Sequence, residues 1–132
     1  MKKQKNIFFF LPNFLIGGAG NSVVNICKII SSRNYCITVF SIGKNIYKKD
    51  LLKLKINVIE LKQKKTIFAI FEIIQYLNLK FINKKNIFVS NINYANVLSC
   101  IFIKRLKKIK LVLIERTPIQ ELQIYFTFRE IL

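Results

Sequence analysis

The chain has 132 residues, 52% of them hydrophobic and 13% aromatic, with 23 Lys and Arg against 6 Asp and Glu and a formal net charge of +17. That length supports one domain with a real core and falls short of a two-domain enzyme. The apolar content, free of any long polar or Pro/Gly/Ser-rich tract, excludes a disordered chain. The absence of histidine excludes imidazole metal sites and histidine-based acid–base catalysis within these residues.

A charge of this size ordinarily raises nucleic acid or an anionic membrane surface as a partner. Only Arg33, Arg105, Arg116 and Arg129 are arginines, however, and the chain is crowded with Ile, Asn and Phe, as an AT-biased coding sequence would produce. Lysine is a mobile point charge, whereas bidentate recognition of guanine or phosphate favours the planar guanidinium, so the shortage of Arg argues against sequence-specific DNA reading. Cys27, Cys36 and Cys100 form no C-x-x-C pair and leave an odd thiol, which suits a reducing, cytoplasmic setting better than a disulfide framework.

Lys2, Lys3 and Lys5, followed by Ile7 to Leu11, imitate the basic and apolar regions of a signal peptide. Against that reading, Pro12-Asn13 interrupts the apolar run and no small-x-small cleavage site follows cleanly. The same residues fit a first strand buried on both faces of a parallel sheet. No apolar run reaches the roughly 18 to 20 residues that span a bilayer.

After glycines at 17, 18 and 20, Val23, Val24, Ile26, Cys27 and Ile30 recur at helical spacing, with Asn21 or Ser22 as the expected cap. Cys36 to Phe40 is a second strand that ends at Ser41-Ile42-Gly43, and residues 44 to 55 form a polar connection with a single helical turn. Ile56 to Leu61 is a third, shorter strand. Ile67, Ile70, Phe71, Ile74, Leu77 and Phe81 then share one helical face. Asn86 to Ser90 is a fourth strand, Tyr94, Val97, Leu98, Ile101 and Phe102 mark another helix, and Lys110 to Ile114 is a fifth strand. From near Pro118 an amphipathic helix runs to Leu132 without a closing cap, which reads as a C-terminal truncation.

Strands alternating with helices imply an α/β, Rossmann-like parallel sheet flanked by helices, with sites at the strands' carboxyl ends. Three ends stand out: Pro12 to Gly20, Ser90 to Tyr94, and Glu115 to Pro118. Glycines between a first strand and first helix let backbone approach a ligand, and the helix's unpaired N–H groups favour phosphate. As a dinucleotide fingerprint the loop is poor. Val23 stands where the third glycine belongs, and Ser41 and Gly43 stand where an acidic ribose ligand belongs. No Gly-Lys-Ser/Thr follows, which argues against a P-loop.

In order along the chain, Ile7-Phe8-Phe9-Phe10-Leu11-Pro12, Gly17-Gly18-Ala19, Val23-Val24-Asn25-Ile26-Cys27, the strand Tyr35 to Phe40, Val89 to Ala95 and Ile114-Glu115-Arg116-Thr117-Pro118 resemble the start of the retaining GT-B glycosyltransferases of family 4. The resemblance implies the N-terminal, acceptor-binding half of a GT-B fold, here a single domain over residues 1–132. It places Gly17, Gly18, Ala19 and Gly20 beside the donor diphosphate, where N–H groups would stabilise charge on the leaving group. It places Asn91, Asn93, Glu115 and Arg116 on the acceptor side. Helix capping for the asparagines and a solvated turn or ion pair for Glu115 and Arg116 remain alternatives.

The resemblance further implies a nucleotide-sugar donor, a glycan or lipid-linked acceptor, and no cofactor or metal. It names no catalytic residue in this half. The position after Gly-Gly-Ala, often acidic in the family, is Gly20, and the histidine that many members carry at a later turn is absent. The family's Glu-x7-Glu motif and its Arg/Lys pair for the donor phosphates have no counterpart, so this polypeptide alone should not transfer sugar. Phe102 to Lys108 is a candidate contact with the anionic inner face of a membrane, or simply a helix with snorkelling lysines. The reading from another class is a noncatalytic basic Rossmann-like module that binds an anionic ligand or surface.

Overall fold

The computed structural model describes residues 5–14, 18–81, 85–106 and 108–115. Five strands, β1 (Lys5–Phe10), β2 (Tyr35–Ile42), β3 (Asn57–Leu61), β4 (Asn86–Asn91) and β5 (Ile109–Ile114), form one sheet in the order β3-β2-β1-β4-β5. Every pairing is parallel. The helices are α1 (Gly18–Ser31), α2 (Lys48–Lys53), α3 (Thr66–Phe81) and α4 (Asn93–Leu98), the last running on into a π-helical turn, Ser99–Ile103.

The unbroken apolar run of β1 follows from its place at the centre of this sheet, where side chains alternate between two covered faces. Ile7 and Phe9 join Val23, Val24, Cys27 and Leu51 in the core beneath α1 and α2. Phe8 and Phe10 join Phe40, Ile70, Ile73, Leu77, Leu98 and Ile103 in the core beneath α3 and α4. Three rings on this second side are in contact: Phe8 stacks on Phe40 at 6.0 Å, and Phe40 meets Tyr76 edge-on at 5.4 Å.

Two helical faces depart in part from the expected ones; on α3, Ile70 and Leu77 are buried and Ile67 and Ile74 pack against the same core, as expected. On α3 the buried residues are Ala69, Ile70, Ile73 and Leu77, while Phe71 is 42% exposed. Phe71 leaves the core side to meet the Phe102 ring at 4.9 Å. On α4, Ala95, Asn96 and Leu98 are buried, and Tyr94 and Ile101 are exposed. The π turn explains the exposure of Ile101: its i to i+5 bond, Lys104 N–H to Ser99 C=O at 3.1 Å, delays the return of the helix to the core. Ile103, fully buried, fills the place that a regular helix would give to Ile101 or Phe102.

The first helix also starts earlier than expected. Gly18 to Gly20 already lie in α1, so Asn21 and Ser22 sit within its first turns and do not cap it. Asn21 instead accepts a hydrogen bond from the Tyr47 hydroxyl at 3.1 Å. Residues 44 to 55 do carry one short helix, α2. Behind it, Glu60 accepts from Lys48 Nζ and from Asn45 N–H, both at 2.9 Å. Its carboxyl is therefore held below the usual carboxylate range, first by the Lys48 hydrogen bond and then by the Asn45 amide.

The thiols occupy three different environments: Cys27 is buried, Cys36 half-buried and Cys100 exposed. Burial pushes the Cys27 thiol up to about 12. Alkylation at pH 8 is therefore expected to modify Cys100 first and Cys36 more slowly, and to reach Cys27 only in denaturant. Mass spectrometry of a timed iodoacetamide reaction checks this order, and early labelling of Cys27 would show an open core. No helix among the described residues is long and apolar enough to cross a membrane.

Candidate functional site

The strand order reverses direction between β1 and β4, because β2 and β3 extend the sheet to one side of β1 while β4 and β5 extend it to the other. In open parallel sheets this switch point leaves a crevice at the strands' carboxyl ends, where no crossover covers the gap. The segment after β1 leads to α1 on one side of the crevice, and the segment after β4 leads to α4 on the other.

On the β1 side, Gly18 is the first residue of the 14-residue helix α1. Gly18 is exposed, and a Cβ built on it would meet nothing within 4 Å. The first-turn N–H groups of α1 thus begin at an uncrowded backbone, and no acidic side chain occupies that turn. These groups carry the positive end of the helix dipole and have no intrahelical acceptor. Ala19 is half-buried and Gly20 is buried. Gly17 lies outside the described residues.

The expectation of a glycine loop is corrected for Gly18, Ala19 and Gly20, which form helix. Alanine is favoured over glycine in a helix by up to about 1 kcal/mol, and open space at Gly18 removes any steric objection. Gly18→Ala is accordingly expected to leave thermal stability unchanged or raise it within that limit. Differential scanning calorimetry checks this, and a clear fall in the midpoint would reveal crowding at the helix start.

On the β4 side, Asn91 is fully buried at the end of the strand, and its Nδ2 donates to the Phe10 carbonyl at 3.2 Å. The bond adds a side-chain rung to the β1–β4 ladder, just past the last backbone pair, Phe10 with Ser90. Asn96, 7% exposed, donates its Nδ2 to the Ile114 carbonyl at 3.0 Å and to Glu115 Oε2 at 3.4 Å. Since a carbonyl oxygen can only accept, these contacts fix which amide atom is nitrogen in both residues.

The oxygens are left over. Asn91 Oδ1 and Asn96 Oδ1 are buried and have no hydrogen-bond partner among the described residues, and the same holds for Asn93 Oδ1. Leaving a buried polar atom unpaired costs about 1–3 kcal/mol, so these acceptors, gathered on one strand end and the helix after it, call for donors beyond the described residues. Helix capping does not account for them. The residue before α4 is Ile92, and α4 has no side-chain cap bond.

Ile92 itself has φ 74° and ψ 140°. A β-branched residue at positive φ is strained by about 1–3 kcal/mol and persists only where its surroundings impose it. Here Ile92 N–H donates to Ile114 C=O at 3.2 Å and Ile92 C=O accepts from Asn96 N–H at 2.9 Å. Both bonds hold the turn that carries Asn91 and Asn93. Glu115 is exposed just beyond β5, beside Asn96. Arg116 lies outside the described residues.

The structure therefore brings Asn91, Asn93 and Glu115 to one edge and adds two residues that the sequence pattern does not reveal. Asn96 falls off the expected apolar stripe of α4 and is buried against the end of β5, where it bonds Ile114 and Glu115. Ile92 carries no sequence signal of its strain. At the end of β2, Ser41 is buried and its hydroxyl donates to the Gly43 carbonyl at 3.1 Å. Gly43 turns there at φ 70°, a conformation that suits glycine. That turn holds no acidic side chain of the kind a dinucleotide's ribose requires. Among the described residues, no group of three or more His, Cys, Asp or Glu is placed to hold a metal ion.

The fold has a counterpart among solved structures, the crystal structure of a glycosyltransferase from Rickettsia africae ESF-5. It aligns with a TM-score of 0.58 at 17% sequence identity, over 96% of this chain and 34% of that one. The chain thus spans about a third of that protein's length and shares its α/β fold there. No protein-family model matches the chain, and no curated protein sequence matches it.

Proposed function

We propose that the chain is the N-terminal, acceptor-side part of a retaining GT-B glycosyltransferase of the family-4 type, which transfers sugar from a nucleotide-sugar donor to a glycan or lipid-linked acceptor. The observation that carries this reading is the division of polarity across the crevice between β1 and β4. The α1 side carries the positive end of a helix dipole and first-turn N–H groups that lack intrahelical acceptors, as a diphosphate requires. The β4 side is built of acceptors, the Asn91 and Asn96 amide oxygens beneath the surface and the Glu115 carboxylate, which also accepts from Asn96, at the exposed end of β5, as hydroxyl groups require. The shared fold with a solved glycosyltransferase supports the same reading.

In this reading the first turn of α1 from Gly18, together with Gly17, meets the donor phosphates as charge grows on the leaving group. Asn91, Asn93 and Glu115 orient the acceptor, with Arg116 as a further acceptor-side residue. The partner half supplies most of the nucleotide-sugar site, and no metal or cofactor takes part. The complete enzyme works in the cytoplasm on envelope polysaccharide or glycolipid. In the stretch 102–108, Phe102 is engaged with Phe71, so contact with an anionic inner membrane face falls to exposed charges such as Lys104 and Arg105.

Sequencing the DNA that follows the codon for Leu132 tests the proposal. An in-frame continuation that encodes a second Rossmann-like domain with Glu-x7-Glu supports it. A stop codon with no homologous downstream half would sink it.

A further inference from the structure

We propose that the amino edge of the sheet, opposite the crevice, is a second binding site that takes a ligand bearing two or more phosphate groups. A cleft of about 570 Å³ opens there, lined by Lys5, Lys85, Asn86, Ile87, Lys108, Ile109 and Lys110. Parallel register assembles it. Asn6 pairs with Asn86, Asn86 with Ile109 and Ile87 with Lys110, so lysines from three separate stretches of sequence arrive at one edge. The Asn86 N–H donates to Lys108 C=O at 3.0 Å, which extends the β4–β5 pairing to the residue before β5 and anchors the backbone of Lys108 at this edge.

Four exposed lysines, Lys5, Lys85, Lys108 and Lys110, line this cleft, and among the described residues no carboxylate does. The acidic residues described are Asp50, Glu60, Glu72 and Glu115, on α2, β3, α3 and beyond the far end of β5. Like charges held around a common space repel, and a multivalent anion removes that repulsion while gaining several charge-assisted contacts. Lysine serves phosphate as a compact point charge, without the planar pairing that arginine offers to bases. The volume lies within the usual range of small-molecule sites, about 300–1,000 Å³, and exceeds what one phosphate fills. Ile87 and Ile109 give the cleft apolar wall for the rest of the ligand.

The site is separate from the crevice. β1 runs six residues from Lys5 to Phe10, which puts the two edges roughly 17 Å or more apart. The proposal therefore does not depend on sugar transfer. The phosphates belong either to a soluble oligophosphate-bearing molecule or to the headgroups of an anionic lipid surface, and the chemistry of recognition is the same.

The test titrates sodium tripolyphosphate into the full chain and follows backbone amides by NMR. Saturable shifts at Lys5, Asn86, Ile87, Ile109 and Lys110 are expected. Lys85→Gln/Lys108→Gln/Lys110→Gln is expected to weaken binding about tenfold or more, while the equal charge change Lys44→Gln/Lys49→Gln/Lys53→Gln, on exposed lysines elsewhere, weakens it about twofold or less. Co-sedimentation of the same three proteins with phosphatidylglycerol and phosphatidylcholine vesicles separates the sources. Selective loss on phosphatidylglycerol assigns the headgroup, and selective loss on tripolyphosphate alone assigns a soluble ligand. Equal weakening by both triple variants, shifts confined to the start of α1, or no saturable binding of either anion overturns the site. Because the shift map comes from the unsubstituted chain, a variant that fails to fold does not shelter the proposal.

Discussion

Phe40→Ala is expected to lower the unfolding free energy by about 3–5 kcal/mol, the range for truncating a fully buried aromatic residue. Phe40 is completely buried in β2, stacked by Phe8 and met edge-on by Tyr76. Its removal forfeits the transfer energy of the ring, leaves a cavity between the sheet and α3, and deprives two aromatic neighbours of a partner. A domain of this size has only about 5–15 kcal/mol to lose. Urea unfolding followed by far-ultraviolet circular dichroism measures the change. A loss under 1 kcal/mol would mean that α3 does not pack on the sheet as described.

Asn91→Asp is expected to produce the second large effect, a loss of about 3 kcal/mol or more at pH 7. The substitution replaces the Nδ2 donor with an acceptor facing the Phe10 carbonyl, at a fully buried position. Burial and the opposed carbonyl both disfavour the ionised form, so the introduced carboxyl has a raised pKa in the folded chain. A raised folded pKa means that variant and parent differ least below the unfolded value, about 4, where the acid is protonated in both states and its O–H can donate to Phe10. The deficit then grows as pH rises towards the folded value. Unfolding curves at pH 4 and pH 7 check the sign. A deficit independent of pH would show that residue 91 is solvated.

Much of this architecture is legible in the sequence because burial on both faces leaves an unmistakable mark. Ile7 to Phe10 and Ile37 to Phe40 are apolar or β-branched at nearly every position, and each forms a central strand. The phase of a helix leaves a weaker mark. Glycine is a poor helix former, so Gly18 and Gly20 read as loop, yet the chain leaving β1 commits them to the first turn of α1. A π turn has no composition of its own, and one extra residue in that turn buries Ile103 in place of Ile101 or Phe102.

The candidate site was legible as a set of strand ends and obscure in its chemistry. Asn91 and Asn93 stand out by position, but whether a terminal asparagine caps a helix or extends a ladder depends on the angle at which the next helix leaves. Ile92, at φ 74°, sets that angle. Asn96 was hidden because its burial follows from a tertiary contact with β5 through Ile114, eighteen positions away. The basic composition was the least informative feature at the level of sequence. Only strand register distinguishes the four lysines of the amino-edge cleft from those scattered over the surface.

The division of the crevice into a donor-bearing and an acceptor-bearing side is tested most directly by amide-resolved NMR of the labelled chain during titration with UDP-sugars, GDP-sugars and NAD(H). The account predicts that nucleotide sugars perturb residues 18–21 and 91–96 together, weakly and without shifts at Ser41 or Gly43. It is contradicted if those residues stay silent with every nucleotide sugar while NAD(H) saturates them.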